Sequence, residues 1–434
     1  TNATTETNMC TFSYSTSYRN GTTFQPYYYT SRSSTDWLGY DNNYRVLPAG
    51  IPAYVSKNDA AISDITHRFV NNWRSLQETA IPDQRIQFNL QHHWKGKRGP
   101  AISSISTASY SMTHTTNVVE RNDYDSTAIN FQSRDRQYQR QVQINLMENI
   151  GLKWKSHHVE WKNLLNQSGR EFSTYRTNTL SSENPYQYYA FGYMCRRNLL
   201  SQLSGTHTLT PHGMHYEWTL SYNDAFRNEP DLRRINYSLF YNGVDSVYKA
   251  QVANVVDPVS GGGRFYQSLR EHSFSLHHLL KKDMLWKTHL LELQAGQFLE
   301  SRQRVFAARV LGYTIKPGAT AYQLTQYSLD SLFNPDHTGQ STNFRMDEIT
   351  SLPDSYTAGN FLVASYVMAN LVWSPKWKVQ AGVRYEYNLQ TLNSFTNLDS
   401  SSEVHEKLRT AFFLPSGNIS YQLDDKSLLR LAAG

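Results

Sequence analysis

Val379-Gln380-Ala381-Gly382-Val383-Arg384-Tyr385-Glu386-Tyr387-Asn388 alternates apolar and polar side chains over ten residues without a break. Successive side chains of a strand point to opposite faces, so this segment reads as a strand with one apolar and one polar face. The same period of two recurs along the chain. Ile86, Phe88, Leu90 and Trp94 alternate with Gln87, Asn89 and Gln91, and Val142, Ile144 and Leu146 with Gln141, Gln143 and Asn145. Tyr216, Trp218, Leu220 and Tyr222 alternate with Glu217, Thr219 and Ser221, and Phe274, Leu276 and Leu280 with Ser273 and Ser275.

Strands are expected at 10–20, 84–94, 101–115, 137–150, 155–167, 198–210, 213–223, 267–280, 286–298, 361–373, 377–389, 409–423 and from 427 onward. The connections between them alternate between short and long. Short ones fall near Gly96-Lys97, Gly151-Leu152, Pro211-His212, Lys282-Asp283, Ser374-Pro375 and Asp424-Asp425; long ones cover 21–83, 116–136, 168–197, 224–266, 299–360 and 390–408. Loops beyond about 15 residues are uncommon in compact domains. A transmembrane β-barrel accounts for the rhythm, with short periplasmic turns, long extracellular loops and an apolar band on the outside. Trp94, Trp154, Trp286, Trp373 and Trp377 all stand beside short turns, where an interfacial aromatic belt belongs. A soluble all-β protein would explain the alternation, but neither the rhythm nor the tryptophans.

Composition agrees. The 434 residues are 39% hydrophobic and 18% charged, with 30 Tyr and a mean hydropathy of −0.61. Disordered chains are poor in aromatics, and no stretch approaches the 18 or so apolar residues of a transmembrane helix. The net charge of +6 is spread along the chain and accompanies no nucleic-acid module, so nucleic acid is not an expected partner. Cys10 and Cys195 share no motif, and a disulfide between them stays open.

No residue is put forward as catalytic, and neither a metal site nor a cofactor is expected. Asn166-Gln167-Ser168-Gly169 lacks the nucleophile-elbow pattern. Gly261-Gly262-Gly263-Arg264 lacks the ending of a phosphate loop and reads as a flexible entry to a strand. His92-His93, His157-His158 and His277-His278 put adjacent rings on opposite faces of a strand. His212 and His215 flank a turn without a third ligand. On the polar faces, Glu217, Arg384 and Glu386 are expected in the lumen. In the long loops, Tyr27, Tyr28, Tyr29, Trp37, Tyr186, Tyr188, Tyr189, Arg233 and Arg234 offer aromatic faces and cations to a polar organic ligand. Trp37, Tyr186, Tyr188, Tyr189, Arg233 and Arg234 are the expected binding residues.

Several strings resemble those of TonB-dependent outer-membrane receptors. They are Asp36-Trp37-Leu38-Gly39-Tyr40-Asp41 with Arg45 and Leu47-Pro48, Glu229-Pro230-Asp231-Leu232-Arg233-Arg234, and Gly263-Arg264-Phe265-Tyr266. Arg304-Val305-Phe306, Ala381-Gly382-Val383-Arg384-Tyr385-Glu386, Phe413-Leu414-Pro415-Ser416 and Leu429-Arg430-Leu431-Ala432 follow in the same order. The resemblance implies a 22-stranded barrel closed by a plug, of which this chain, with about 13 strands, is a partial wall over residues 1–434. Neither a plug nor a TonB box is recognisable. It further implies energised, non-enzymatic import across the outer membrane of a Gram-negative bacterium. The implied partners are the TonB complex, membrane lipid, a metal-chelate, glycan, peptide or vitamin ligand, and a surface lipoprotein. A barrel without transport, serving as an adhesin or part of a secretion complex, stays open, as does a barrel-embedded hydrolase.

Overall fold

The structure, a computed structural model, describes residues 7–71, 73–96, 99–124, 129–181, 185–210, 213–241, 243–396 and 402–434. The strands are β1 (Met9–Ser17), β2 (Pro26–Tyr29), β3 (Leu76–Thr79), β4 (Asp83–Lys95), β5 (Ala101–Tyr124) and β6 (Ile129–Trp154). Then come β7 (His157–Ser181), β8 (Tyr186–Thr210), β9 (Met214–Tyr241), β10 (Ser246–Ala250), β11 (Gly261–Trp286) and β12 (His289–Thr314). The last are β13 (Arg345–Glu348), β14 (Tyr356–Val372), β15 (Trp377–Phe395), β16 (Glu403–Gln422) and β17 (Leu428–Ala433). One antiparallel sheet of 15 strands runs β1-β4-β5-β6-β7-β8-β9-β11-β12-β14-β15-β16-β17, with β10 attached to β9 and β13 to β12. The long strands thus follow one another in chain order as expected, and β2 pairs with β3 separately. Helix is confined, among the described residues, to α1 (Ile62–His67), α2 (Ala319–Leu324) and three 3-10 turns.

Several expected boundaries shift. β6 continues through Gly151-Leu152 and turns at Lys155-Ser156, and β11 continues through Lys282-Asp283 and turns at Lys287. Lys155 and Lys287 take φ 52° and 58° there. Pro211 and His212 lie outside the described residues. More consequentially, 116–136, 168–197 and 390–408 are mostly strand, as is much of 224–266. A crossing needs about 9–11 residues, whereas β6 has 26, β7 25 and β9 28. These strands continue as a paired ribbon above the lipid. There, apolar–polar alternation is no longer imposed by the membrane, so the sequence signal fades while the hydrogen-bond ladder persists. Gly261-Gly262-Gly263 likewise begins β11 instead of a flexible loop.

Cross-strand partners share a face, so the registers carry each face from strand to strand. One face gathers Ile86, Phe88 and Leu90, then Val142, Ile144 and Leu146, then Tyr216, Trp218 and Leu220, and finally Val379, Ala381 and Val383. The opposite face is polar. Thr107 Oγ1 donates to Asn89 Oδ1 at 3.1 Å, Asn145 Nδ2 to Ser109 Oγ at 3.0 Å, and Asn166 to Asn145. Trp94, Trp154, Trp286, Trp373 and Trp377 are all exposed at the short-turn end. Apolar side chains without a protein partner over a full crossing fit lipid, and the polar face fits a wet lumen.

The buried core sits in an unexpected place. Segments 18–82 and 315–355 fold back against the apolar face, on the ribbon above the lipid band. Val55, Ile65, Phe69 and Trp73 meet Phe191, Ile235, Leu311 and Tyr313 of the wall there, together with Phe333, Phe344 and Met346. The long segments therefore brace the outer flank of the wall.

Ion pairs and close backbone approach hold this brace. Arg45 bonds Asp36 at 2.6 Å and Asp41 at 2.7 Å, with its guanidinium 4.4 Å from the Tyr193 ring. Gly39, at φ 71°, lies against Gly169 of β7, where a Cβ on Gly169 would come 2.5 Å from the Gly39 Cα and collide with the Tyr193 hydroxyl. Gly169→Val is therefore expected to lever the 3-10 turn Asp36–Leu38 off the wall, an overpacking cost of about 1–3 kcal/mol. In the full-length protein, limited proteolysis should show faster cleavage within 18–82 with heat-modifiable migration retained. Unchanged cleavage would contradict the contact.

Candidate functional site: the mouth of the lumen

The six expected binding residues divide between the two faces of the wall. Trp37 is exposed on the turn braced against the outer flank. Tyr189 packs edge-on to Tyr175 and Tyr237, with centroids 5.5 and 6.0 Å apart, beside the outer core. Arg233 is buried on the same side, 3.5 Å from Asp231. Tyr186, Tyr188, Tyr189, Arg233 and Arg234 belong to strands β8 and β9, not to loops. Expected as one constellation, these residues are not brought together as such.

Tyr186, Tyr188 and Arg234 share the lumen face. Tyr188 is the register partner of Asn236, and Ala190 of Arg234. The Arg176 guanidinium lies 5.4 Å over the Tyr188 ring and grips Asp135 with two hydrogen bonds, at 2.6 and 2.9 Å. Asp135 is fully buried, with Arg121 3.5 Å away. Burial works against its charge, but the Arg176 hydrogen bonds and charge, with Arg121 and Gln137, outweigh it and hold the carboxyl below its ordinary range. Tyr186 stacks on Phe131 at 6.3 Å. The result is an aromatic and cationic patch at the extracellular end of the lumen face. Asp135 and Arg176 escaped sequence reasoning because they fall in segments expected to be loop, where no register is assumed.

Deeper on the same face, by register, stand Glu217, Arg384 and Glu386. Glu217 accepts from Lys281 Nζ at 2.6 Å, and Arg384 donates to Glu386 at 2.9 Å. Between them, His277 Nε2 lies 3.2 Å from the Tyr366 hydroxyl, and the ring of Tyr366 lies over Gly296 of β12. Any Cβ at position 296 would meet that ring at 2.5 Å, so glycine makes the row possible. These groups can hydrogen-bond and carry charge. His157 and His207 approach to 3.1 Å, and no group of three or more metal donors occurs among the described residues. Cys10 and Cys195 are free, one exposed on β1 and one buried on β8, where burial pushes the thiol up to about 11.

Residues 321–434 match the outer membrane protein beta-barrel family. No curated protein matches the chain. Among solved structures, the chain is similar to the siderophore receptor PiuA from Acinetobacter baumannii, with 11% identity and a TM-score of 0.44 over 79% of this chain and 46% of that one. The chain thus spans about half the length of that receptor. With its ordered antiparallel wall, apolar outer band and tryptophan belt, and with residues 321–434 matching the outer membrane protein beta-barrel family, this chain is part of an outer-membrane β-barrel of a Gram-negative bacterium.

Proposed function

We propose that the chain forms the wall of a TonB-dependent, non-enzymatic importer that draws a polar organic ligand through its lumen. The observation that carries this reading is the patch of Tyr186, Tyr188, Arg176 and Arg234 on the lumen face at the mouth. Rings and guanidinium groups there can hold a ligand by stacking, cation–π contact and hydrogen bonds. Glu217, Lys281, Arg384 and Glu386 lie further along the same face, as later contacts for the ligand or as braces for a plug. Trp37, Tyr189 and Arg233, on the outer flank, take no part in capture.

The test uses the full-length gene product in cells with and without a functional TonB complex. Uptake of a metal chelate, glycan, peptide or vitamin is expected only with TonB. Replacing Tyr188 and Arg234 with alanine should weaken capture of that ligand by roughly 10–100-fold, while Trp37→Ala leaves it unchanged. A barrel shown to be assembled that takes up none of these classes, yet still mediates adhesion, would favour the non-transporting alternative.

A further inference from the structure

The lumen face carries a second cationic feature just below the aromatic patch. Arg196 of β8 is the direct register partner of Arg227 of β9. Arg170 of β7 pairs with Met194, the residue two before Arg196, so it stands diagonally beside Arg196 on the same face. Three arginines thus stand side by side on one face of three adjacent strands. Like charges directly opposite each other in a sheet are destabilising unless something neutralises them.

Local neutralisation is scant. Arg227 has Glu229 at 3.4 Å, while its Nε has no hydrogen-bond partner among the described residues. Arg170 and Arg196 are exposed, and neither has an acidic partner among the described residues. The outer face at nearly the same height is handled differently. There Asp224 alone collects Arg197 at 2.8 Å, Arg270 at 3.3 Å and His272 at 3.3 Å. On the β6–β8 side the lumen neighbourhood is built for hydrogen bonding without charge, while on the β11 side Glu271, diagonal to Arg227, is already taken up by Arg304 and Arg302. Gln143 and Ser168 complete the row of Arg196, and Asn166 and Asn198 form the row below. Arginine forks match planar carboxylate and tetrahedral phosphate oxygens, and amides beside them supply further donors.

We infer that Arg170, Arg196 and Arg227 form an anion-binding site on the lumen wall that receives a multiply charged carboxylate or phosphate group of the transported ligand. The inference builds on the importer reading for its direction of use, but the site is tested by binding alone. The ligand would meet the aromatic patch first and the arginines next, moving inward along one face. Arg170 also lies 5.9 Å from the Phe172 ring, which supports its side chain from the adjacent position on that face.

The experiment uses the full-length protein, purified in detergent and shown to be assembled by heat-modifiable migration. Citrate and tripolyphosphate serve as probes, and maltotriose as a neutral control, in calorimetric titrations at low and high salt. Both anions should bind and weaken as salt rises, because screening acts on exposed charges. Maltotriose should show no salt dependence. The double variant Arg196→Gln/Arg227→Gln should lose about tenfold or more of the anion affinity, and Arg197→Gln, on the outer face, should lose none. If the assembled wild type binds neither anion, the site is not open to ligands, and a plug carboxylate filling it would give that result. Equal affinity in the double variant would also overturn the assignment. Either failure leaves TonB-dependent uptake untouched, and loss of that dependence leaves the anion titration untouched.

Discussion

Replacing Asp231 with asparagine is expected to destabilise the extracellular half of the wall by about 3–5 kcal/mol, the cost of leaving a buried charge uncompensated. Asp231 stands at a bulge of β9, at φ 59°, and its carboxylate accepts two hydrogen bonds from Arg264, both at 2.7 Å, and one from Tyr266 at 3.1 Å. Arg233 approaches it at 3.5 Å, and all three charged side chains are at most 3% exposed. Burial, offset in part by Asp231 and reinforced by Arg264 and Arg45, already pushes the Arg233 guanidinium down to about 10. Asparagine keeps the shape and removes the charge, so two buried guanidinium groups would face one neutral amide. Arg264 also donates to the Val70 carbonyl at 3.1 Å, which ties segment 18–82 to the wall through the same group. The measurement is the urea midpoint of the full-length protein, with protease sensitivity of 18–82 as the local readout. A midpoint within error of wild type would remove Asp231 from its keystone role.

The second large effect tests which face meets lipid. Val383 lies mid-strand on β15, across from Val367, on the apolar face. Val383→Arg should cost about 2–4 kcal/mol, as expected for a cation placed at the bilayer midplane. Gln380→Arg, on the opposite face of the same strand, should cost little, because the lumen is wet. Folded fraction in lipid vesicles, read by heat-modifiable migration across a urea series, separates the two. Equal losses at both positions, or a reversed order, would sink the assignment of faces.

The wall was legible because lipid imposes a strict rule on every crossing strand. Val379–Asn388 obeys it, and its reading predicts the order and facing of its neighbours. Above the lipid the rule lapses, so β7 and β8 look like a loop from 168 to 197 although they stay paired. The division of the candidate residues between the two faces was hidden for a sharper reason. Counting by twos along β9 from Glu217, a lumen residue, puts Arg233 in the lumen and Arg234 outside. The extra residue at Pro230-Asp231 reverses that, as the register shift between Phe191 and Cys195 of the neighbouring strand records. Arg234 is therefore the lumen cation and Arg233 the buried one. The arginines at 170, 196 and 227 lie far apart in the chain, and only the registers of β7, β8 and β9 bring them together.

The brace of 18–82 and 315–355 on the outer flank also bears on how such proteins share a crowded leaflet. Each molecule is broader above the lipid than within it, like a column with a capital. Two of them drifting together collide at these shoulders before their apolar bands can touch, and a collar of lipid stays trapped between them. Phe24, Trp37 and Tyr54 are exposed on those shoulders. The spacing of neighbours is thus set by the extracellular segments, while the diameter of the conduit is set by the wall.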